Sequence, residues 1–389
     1  ETALREEGYN AVLMPSVDKN AVEEGLRYVN NDACYPTIVA LGQVINELKS
    51  GKYDLERTAV VLSQTGGQCR ASNYIPLLRK ALIDLKMEQV PVISFSWTGL
   101  ENNPGFPITP RLIKRGGISL LYGDVMMRIL YATRPYEAVE GSANALAEKW
   151  SEIALKNVKD GNLRTLRKNI RQMIRDFDAL PLKDIRKPKV GVVGEILVKY
   201  HPMANNDIVS VIENEGGEAV VLDLMDFFLY GMHSKKYNLR ELSGTFSTML
   251  KNEISILIIE WFRSDARKAL NSSKRFHGPA HIRDTAEKAK KVTSLGNQCG
   301  EGWLLTGEMV ELIDNGVTNI VCLQPFACLP NHVTGKGMIK PLRNYNSKAN
   351  IAAIDYDPGA SDVNQLNRIK LMMATAFKHM EMDEPPPTL

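Results

Sequence analysis

The chain contains 389 residues, of which 44% are hydrophobic and 24% are charged, and its formal net charge is +3. This composition is ordinary for a globular protein, and the length suggests two or three domains. The balanced charge excludes a global basic field for nucleic acid and an acidic tail. The longest apolar runs, at residues 254–259 and 227–230, fall short of the about 18 residues that a membrane-spanning helix needs. We therefore expect a soluble protein without a nucleic-acid or membrane partner.

The chain begins at Glu1, and the basic, apolar and small-residue segments of a secretion signal do not follow it. We therefore expect a fragment of a longer chain. Its five cysteines are too few for a disulfide scaffold, and the odd count leaves at least one of them unpaired. These features favour the reducing cytoplasm as the location.

Strand and helix signals alternate from the first residues onward. Apolar runs predict strands at residues 9–15, 58–63 and 90–95. Helical spacing predicts helices at residues 21–29, at residues 36–48 and after an N-cap at Ser72. Runs of Val and Ile that alternate with amphipathic helices are typical of a parallel sheet covered on both faces. We assign residues 1–110 to a first α/β domain.

Residues 111–187 form a predicted helical connector, because the strand signal is absent there. Its last part, residues 156–189, holds eleven Lys or Arg side chains and four Asp. These charges indicate either solvated helix faces or a docking surface for an acidic partner or a nucleotide. Pro181 and Pro188 mark the boundary to the next domain.

A second α/β domain is predicted at residues 188–380. Strands are expected at residues 189–193, 219–222, 319–323 and 350–354, and helices at 206–215, 286–292, 304–313 and 363–373. The run 254–259 fits a strand or a buried helix equally well. The proline-rich tail, residues 381–389, is expected to be disordered. The fold class that follows is α/β, with two Rossmann-like (flavodoxin-like), doubly wound domains joined by the connector.

The positions of the cysteines are the most informative feature of the sequence. Cys34, Cys69 and Cys328 each precede or open a predicted helix, and the last two follow predicted strands. A helix N-terminus lowers the pKa of a thiol, so these positions favour thiolates. Cys299 lies in a glycine-rich loop, and Cys322 lies within a predicted strand.

Each cysteine alone could be an inert core side chain, but three at loop-to-helix junctions favour a metal. No Cys-x2-Cys pair of a common zinc site occurs. Soft thiolates from distant segments suit an iron–sulfur cluster at a domain interface. A cubane held by three thiolates leaves one iron open to a substrate or to water.

Several neighbours of the cysteines are candidates for supporting roles. Gly66 and Gly67 allow close approach of the backbone to a cluster or form a plain tight turn. Arg70, next to Cys69, offsets cluster charge or forms a surface ion pair.

The candidates for acid–base work lie near the other cysteines. His332 and Asn331, beside Cys328, could tune a cluster or move a proton, or His332 could be structural. Glu301 and Glu308 could act as acid or base, or serve as helix-terminus charges. The Gly-Lys-Gly at residues 335–337 lacks P-loop spacing, so we expect no ATP site in this segment.

Three long segments of the sequence resemble a known family. They are residues 64–70 (QTGGQCR), 322–337 (CLQPFACLPNHVTGKG) and 355–368 (DYDPGASDVNQLNR). They resemble the region of long fused proteins that is similar to 2-hydroxyacyl-CoA dehydratase and benzoyl-CoA reductase subunits. In those fused proteins this region follows an ATP-dependent activase of the 2-hydroxyglutaryl-CoA dehydratase activator type.

The resemblance implies a [4Fe-4S] cluster clasped by two Rossmann-like domains and reduced by the activase, which alone binds ATP. The family's pair of cysteines about 35 residues apart matches Cys34 and Cys69, and Cys328 matches its third cysteine by context. Cys299 competes for that third role by spacing, and Cys322 is a further candidate. The implied activity is that of a dehydratase or reductase component, active under anaerobic conditions on a small molecule such as an acyl-CoA. Its implied partners are the activase and further copies of the chain.

Three alternatives stay open. The first is a reductase with a double-cubane cluster, for which five cysteines fall one short of six ligands. The second is a non-catalytic electron-relay or docking module that binds a cluster or zinc. The third is a metal-free structural domain of the fusion protein.

Overall fold

The computed structural model describes residues 1–14, 19–30, 32–67, 69–96, 101 and 103–382. Its strands are β1 (Val60–Ser63), β2 (Val92–Phe95), β3 (Lys189–Gly194), β4 (Glu218–Val221), β5 (Asn319–Pro325) and β6 (Asn350–Tyr356). Its α-helices are α1 (Thr2–Arg5), α2 (Asn20–Tyr28), α3 (Tyr35–Lys49), α4 (Tyr74–Asp84), α5 (Pro110–Tyr131), α6 (Ser142–Asp160), α7 (Leu163–Asp178), α8 (Ile196–Tyr200), α9 (Ile208–Asn214), α10 (Met225–Glu241), α11 (Phe246–Ser272), α12 (Ile282–Ala289), α13 (Gly302–Asp314), α14 (Leu329–Thr334), α15 (Ile339–Tyr345) and α16 (Asp362–Met382). Short 3₁₀ helices cover Leu55–Arg57, Arg70–Asn73, Arg134–Tyr136, Pro202–Asn205 and Lys336–Met338. The chain is an α/β protein.

The first part of the chain builds a small parallel sheet. β1 and β2 pair in parallel, with Val60 opposite Val92. The helices α2, α3 and α4 bury their apolar sides against this pair, and Ile38, Leu41 and Leu78 lie in the resulting core. Burial of such side chains stabilises the folded chain by about 1.5–3 kcal/mol each, so the two short strands are held mainly by the helices.

The second sheet is parallel throughout, in the order β4-β3-β5-β6. Alternate side chains of its strands enter two different cores. Val192 packs on one face with side chains of α9 and α16, while Val193 packs on the other face with side chains of α13 and α15. Because both faces are covered, every residue of β5 is buried.

The helical segment predicted between the two sheets is confirmed as α5, α6 and α7. These helices bury Trp150, Ile170 and Phe177 in a shared core with the end of α11. The side chain of Thr109 caps α5 by accepting a hydrogen bond from the Leu112 amide at 3.0 Å. The described residues contain no helix that is both long enough and apolar enough to span a bilayer.

One helix contributes to the cores of both sheets. Ile38 and Leu41 of α3 pack against the first sheet, whereas Tyr35 and Val39 of the same helix pack in the core of the second sheet. The N-terminus of α3 also donates a backbone hydrogen bond, from the Tyr35 amide to the Phe326 carbonyl oxygen at 3.1 Å. This contact brings the start of α3 next to the segment that follows β5.

Some predicted elements differ from the observed ones. Residues 9–14 of the predicted strand 9–15 form neither a strand nor a helix, and Val12 and Leu13 are exposed there. Their backbone bonds side chains instead, since the Leu13 amide donates to Glu1 Oε2 at 3.1 Å. The undecided run 254–259 is part of α11, and Ser72 lies in a 3₁₀ helix rather than at an N-cap.

The predicted disordered tail at 381–389 is wrong at its start. Residues 381 and 382 are the last residues of α16, a helix that packs on the second sheet through Ile369 and Met373. Residues 383–389 lie outside the described part of the chain.

Candidate functional site

Cys34, Cys69 and Cys328 occupy equivalent positions at the starts of three helices. Each is an N-cap residue with extended backbone, at the start of α3, of the 3₁₀ helix Arg70–Asn73 and of α14. The free amides of a first helical turn point toward the N-cap. Ala327, just before Cys328, has φ +54°, a left-handed conformation that is strained for alanine. Each of the three helix starts therefore places a thiol beside free backbone amides.

The thiol of Cys34 lies within electrostatic reach of the thiols of Cys69 and Cys328. A charge on Cys34 raises the pKa of both Cys69 and Cys328. Charge on the buried Glu195 raises the pKa of all three thiols, and Glu301 acts in the same way on Cys69 and Cys328. The fold thus gathers cysteines from three distant segments around two carboxyl groups.

The candidate residues lie where the strand order of the second sheet reverses. Along the chain, β3 is followed by β4 on one side of it, and then β5 and β6 are added on the other side. Open parallel sheets bind ligands at the carboxyl ends of the strands beside such a switch point. Here Glu195 directly follows β3, and Cys328 comes three residues after β5. The candidate site therefore lies at the position that the topology favours.

The expectation that the helix N-termini lower the thiol pKa values is wrong for the metal-free chain. Burial raises the pKa of Cys69 to about 12 and also raises the pKa of Cys34 and Cys328. Backbone amides act in the opposite direction, as does the hydroxyl of Thr37, which lies 2.9 Å from Cys34 Sγ. Desolvation and nearby carboxylates outweigh these donors, so the thiols are neutral at pH 7.

The carboxyl groups at the site form a buried pair. Glu195 accepts a hydrogen bond from the Val198 amide at 2.9 Å, and Glu301 accepts one from the Ile196 amide at 2.9 Å. Burial, together with the charge of Glu301, raises the pKa of Glu195 to about 8. Burial also raises the pKa of Glu301, while the charge of Lys199 opposes that rise. The pair therefore holds a proton near neutral pH.

Lys199 is the buried cation next to this pair. Its Nζ lies 2.9 and 3.1 Å from the two carboxylate oxygens of Glu308. Burial raises the pKa of Glu308 to about 7, against the effect of Lys199. The interpretation of Glu308 as a helix-terminus charge is wrong, because Glu308 lies in the buried middle of α13; Glu301 does lie at the N-cap of that helix.

The end of the loop that carries Cys299 packs closely against the hydroxyl group of Tyr230. Gly302 has φ +47°, and a Cβ atom there would lie 2.2 Å from Tyr230 Oη, so only glycine fits. Tyr230 Oη is buried without a hydrogen-bond partner among the described residues. Burial raises the pKa of Tyr230, and charges on Glu301, Cys299 and Cys69 add to the rise. Cys299 therefore lies on the Tyr230 side of the site.

The loop before Cys69 is braced by Gln64. Its Nε2 donates to the Ser72 carbonyl oxygen at 2.8 Å, and the Ser72 hydroxyl donates to the Gly67 carbonyl oxygen at 3.1 Å. Gly67 has φ +82°, and a Cβ there would meet no atom within 4 Å. Gly67 therefore has a backbone conformation that favours glycine, with open space beside it. Arg70 is exposed, and its charge lowers the pKa of Cys34.

Two further candidates do not join the buried group. His332 is exposed on α14, while its neighbour Asn331 is fully buried and donates Nδ2 to the Leu323 carbonyl oxygen at 2.9 Å. Cys322 lies in the core beneath α13, 3.8 Å from Asn331 Oδ1. Burial raises the pKa of Cys322 to about 12, and its surroundings are those of a core side chain.

Glu195, Lys199 and Tyr230 were not predicted from the sequence as residues of this site. The signal for Glu195 was present, since Gly194 and Glu195 directly follow a predicted strand, as Cys328 does. Gly194 has φ +147°, and a Cβ there would lie 2.5 Å from the Leu323 carbonyl oxygen, so β3 and β5 approach closely just before Glu195. Lys199 and Tyr230 gave no signal, because only the tertiary fold places them near the pair.

The donor set fits an iron–sulfur cluster in its chemistry, because the three gathered side chains are thiols. Among the described residues, no group of three or more His, Cys, Asp or Glu side chains is arranged to hold a single metal ion. The ligands of a cubane each bind a different iron, so they need not surround one point. The chain matches no family model, no curated protein and no solved structure.

Proposed function

We propose that the chain is an iron–sulfur redox component similar to 2-hydroxyacyl-CoA dehydratase subunits. Cys34, Cys69 and Cys328 would hold a [4Fe-4S] cluster. A separate ATP-dependent activase would supply a low-potential electron, and the substrate would be a small molecule, with acyl-CoA thioesters as the first class to test. The setting would be an anaerobic cytoplasm.

The observation that carries this proposal is the arrangement of the three N-cap cysteines. They come from segments nearly 300 residues apart, yet Cys34 influences the pKa of both Cys69 and Cys328. Structural cysteines have no reason to share one position, the N-cap, at the starts of three helices. Cluster ligands do, because first-turn amides stabilise the negative charge on thiolates and sulfides.

The order of the second sheet supports the finer proposal of a Rossmann-like fold. Numbered from its own first strand, the order is 2-1-3-4, as in flavodoxin-like sheets. The two strands of the first sheet, with α2, α3 and α4, would be a shortened version of the same design. The site would then lie between the two Rossmann-like halves, which α3 connects.

When bound, a cluster held by three thiolates supplies one-electron transfer and an iron without a protein ligand. The surrounding residues would supply protons. Glu195 and Glu301 share a proton near neutral pH, and either can give it to a substrate oxygen or take one from a substrate carbon. Lys199 limits the negative charge of the pair. The unpartnered hydroxyl of Tyr230 would orient a polar group of the substrate.

The test is the iron and sulfide content of protein purified and reconstituted without oxygen. We expect about four iron and four sulfide ions per chain, and a large loss of both in Cys34→Ala, Cys69→Ala and Cys328→Ala. Cys322→Ala is the matched control, because that thiol lies within β5 in the core beneath α13 and not at a helix start. Full iron content in all three variants would contradict the proposal, and about eight irons would favour a double-cubane reductase.

A second candidate function is a non-catalytic electron relay or docking module. The observation that favours it is the row of exposed cations on α7, at Arg164, Lys168, Arg171 and Arg175. Turnover of a small acceptor by the chain together with an activase would argue against this candidate. In the catalytic case Glu195→Gln should slow turnover while leaving the iron content unchanged, whereas a pure relay should tolerate that substitution.

A further inference from the structure

α11 carries an apolar side that nothing in the described structure covers. We call it the apolar face of α11, and its exposed side chains are Phe246, Leu250, Ile254, Leu257, Ile258 and Trp261. Their spacing of three and four residues places them on one side of the helix. From Phe246 to Trp261 the stripe is about 22 Å long at 1.5 Å per residue.

These residues explain why the run 254–259 is ambiguous in sequence. Ile256 is buried against α10 and α12, while Ile258, 60% exposed, points away from them. A helix that only covered a core would be polar on its other side. Large contiguous apolar patches on a protein surface mark interaction sites. The exposed side of α11 is therefore a site for a partner.

A basic surface continues the apolar face at one end. We call it the basic face of α7; its side chains are Arg164, Arg167, Lys168, Arg171 and Arg175. The guanidinium of Arg167 lies 4.7 Å from the ring centroid of Trp261, so the two surfaces touch. Among the described residues that line the basic face, one carboxylate occurs, that of Asp265, and it pairs with Arg167 at 2.8 Å and with Arg171.

The apolar face of α11 and the basic face of α7 lie one after the other along the axes of the two helices. Arg167 contacts Asp265, and further along both helices Asp178 accepts a hydrogen bond from the Ser273 hydroxyl at 2.7 Å. α7 and α11 thus run in the same direction, and the basic face extends beyond the Trp261 end of the stripe. A partner must then be apolar over about four turns and acidic at one end.

This order along the axis selects among the occupants. A helix that lies on a membrane is rich in Lys and Arg on the polar side that borders its apolar face, whereas between Phe246 and Trp261 the exposed basic side chain of α11 is Lys251. A second copy in antiparallel contact would bring the basic face beside the chain before Phe246, where the exposed Arg240 and Glu241 pair at 3.4 Å and leave no net negative charge. In parallel contact, two basic faces would repel each other. A protein helix with an acidic end has neither difficulty.

We infer that the apolar face of α11 and the basic face of α7 together bind an amphipathic helix of another protein or domain. That helix presents an apolar stripe to α11 and aspartate or glutamate side chains to α7. The site is separate from the cysteines, so it stands whether or not the chain holds a cluster.

The probe is a pair of synthetic amphipathic helical peptides about six turns long, with leucines at heptad positions a and d. One peptide has glutamates in its terminal turn, and the other has lysines there; each is made with the charged turn at either end. Fluorescence anisotropy of the labelled peptides with the full chain measures affinity. We expect the better glutamate peptide to bind at least about tenfold more tightly than either lysine peptide.

Variants assign the binding to these surfaces. Ile258→Glu should lower the affinity for the glutamate peptide by at least about tenfold. Leu257→Gln is a milder second variant, in case Ile258→Glu does not fold. Leu371→Glu, at a position 72% exposed on α16, is the matched control and should leave affinity unchanged. The double variant Arg164→Glu/Lys168→Glu should reverse the preference between the glutamate and lysine peptides, because it reverses charge on exposed residues of the basic face.

Four outcomes would overturn the inference. These are no binding of either glutamate peptide, equal affinity for both charges, and a preference that survives the double variant. The fourth is a different occupant: either a dimer seen by sedimentation that Ile258→Glu dissociates, or binding of phosphatidylserine vesicles that Ile258→Glu abolishes. The expected result is a monomeric chain that does not bind the vesicles and binds the glutamate peptide more tightly than the lysine peptides.

Discussion

At the start of α8 the carboxyl group of Glu195 accepts a hydrogen bond from the Val198 amide, an arrangement that usually favours the charged form. Burial and the charge of Glu301 nevertheless raise the pKa of Glu195 to about 8. The same competition sets the state of Cys34, where burial outweighs the hydroxyl of Thr37. At this site the desolvation penalty of a buried charged group exceeds the stabilisation that one or two hydrogen-bond donors provide.

This competition makes the stability of the metal-free chain depend on pH. The pKa of Glu195 rises from an ordinary 4.5 to about 8 on folding, so its protonated form favours the folded chain. That contribution is complete below pH 4.5 and is lost as pH rises toward 8. Between those limits, the unfolding free energy should fall faster in the wild type than in Glu195→Gln, by up to about 1.4 kcal/mol per pH unit.

Urea denaturation of the iron-free protein at several pH values measures this difference. Glu152→Gln, at an exposed position on α6, is the control and should follow the wild type. Parallel curves for the wild type and Glu195→Gln would show that Glu195 is already ionised in the folded chain.

How far the sequence predicts this site depends on the residue. The placement of Cys34, Cys69 and Cys328 at helix starts is readable, because proline, glycine and strand ends mark those junctions. The direction of their pKa shifts is not, because it depends on burial and on Glu195 and Glu301, which are distant in sequence. Tyr230 is invisible for the same reason: its role comes from the turn at Gly302 closing around its hydroxyl.

Among the helices and strands, prediction succeeded both for amphipathic segments such as α2 and for the fully buried strand β5. α2, α3 and α16 were expected within a few residues of their observed starts, as were β5 and β6. It failed at residues 9–14, where an apolar run has no neighbouring strand in the described chain. It gave no answer for 254–259, where both sides of α11 are apolar because one packs on the core and the other is exposed.

The start of α7 offers a test of local helix stability. The Asn162 side chain accepts hydrogen bonds from the Arg164 amide at 2.9 Å and the Thr165 amide at 3.2 Å. Asn162→Ala should lower the unfolding free energy by about 1 kcal/mol, and it should speed hydrogen exchange in the first turn of α7. Asn162→Asp should retain both effects of the cap, because aspartate accepts the same bonds and its charge suits a helix N-terminus. Equal losses in both variants would mean that the cap does not stabilise α7.

For the molecule as a whole, α3 is the element that joins the two sheets. Its Val39 is fully buried in the core of the second sheet, while Val44, one and a half turns later, is buried in the core of the first. Cys34 caps this helix, and the Tyr35 amide bonds the Phe326 carbonyl oxygen near Cys328. The alignment of Cys34 with Cys328 therefore depends on the packing of α3 against the second sheet.

Val39→Ala and Val44→Ala separate that alignment from stability in general. Each removes two buried methyl groups and should cost about 2 kcal/mol. Only Val39→Ala loosens α3 from the second sheet, so Cys34 in the iron-free chain should react with iodoacetamide about tenfold faster in Val39→Ala than in Val44→Ala, through local opening. Mass spectrometry of the Cys34 peptide gives the rates, and Cys322 serves as an internal reference because it is in the core beneath α13. If Cys34 reacted at the same rate in both variants, the thiol would be exposed only by unfolding of the whole chain, and α3 would not be the joint between the sheets.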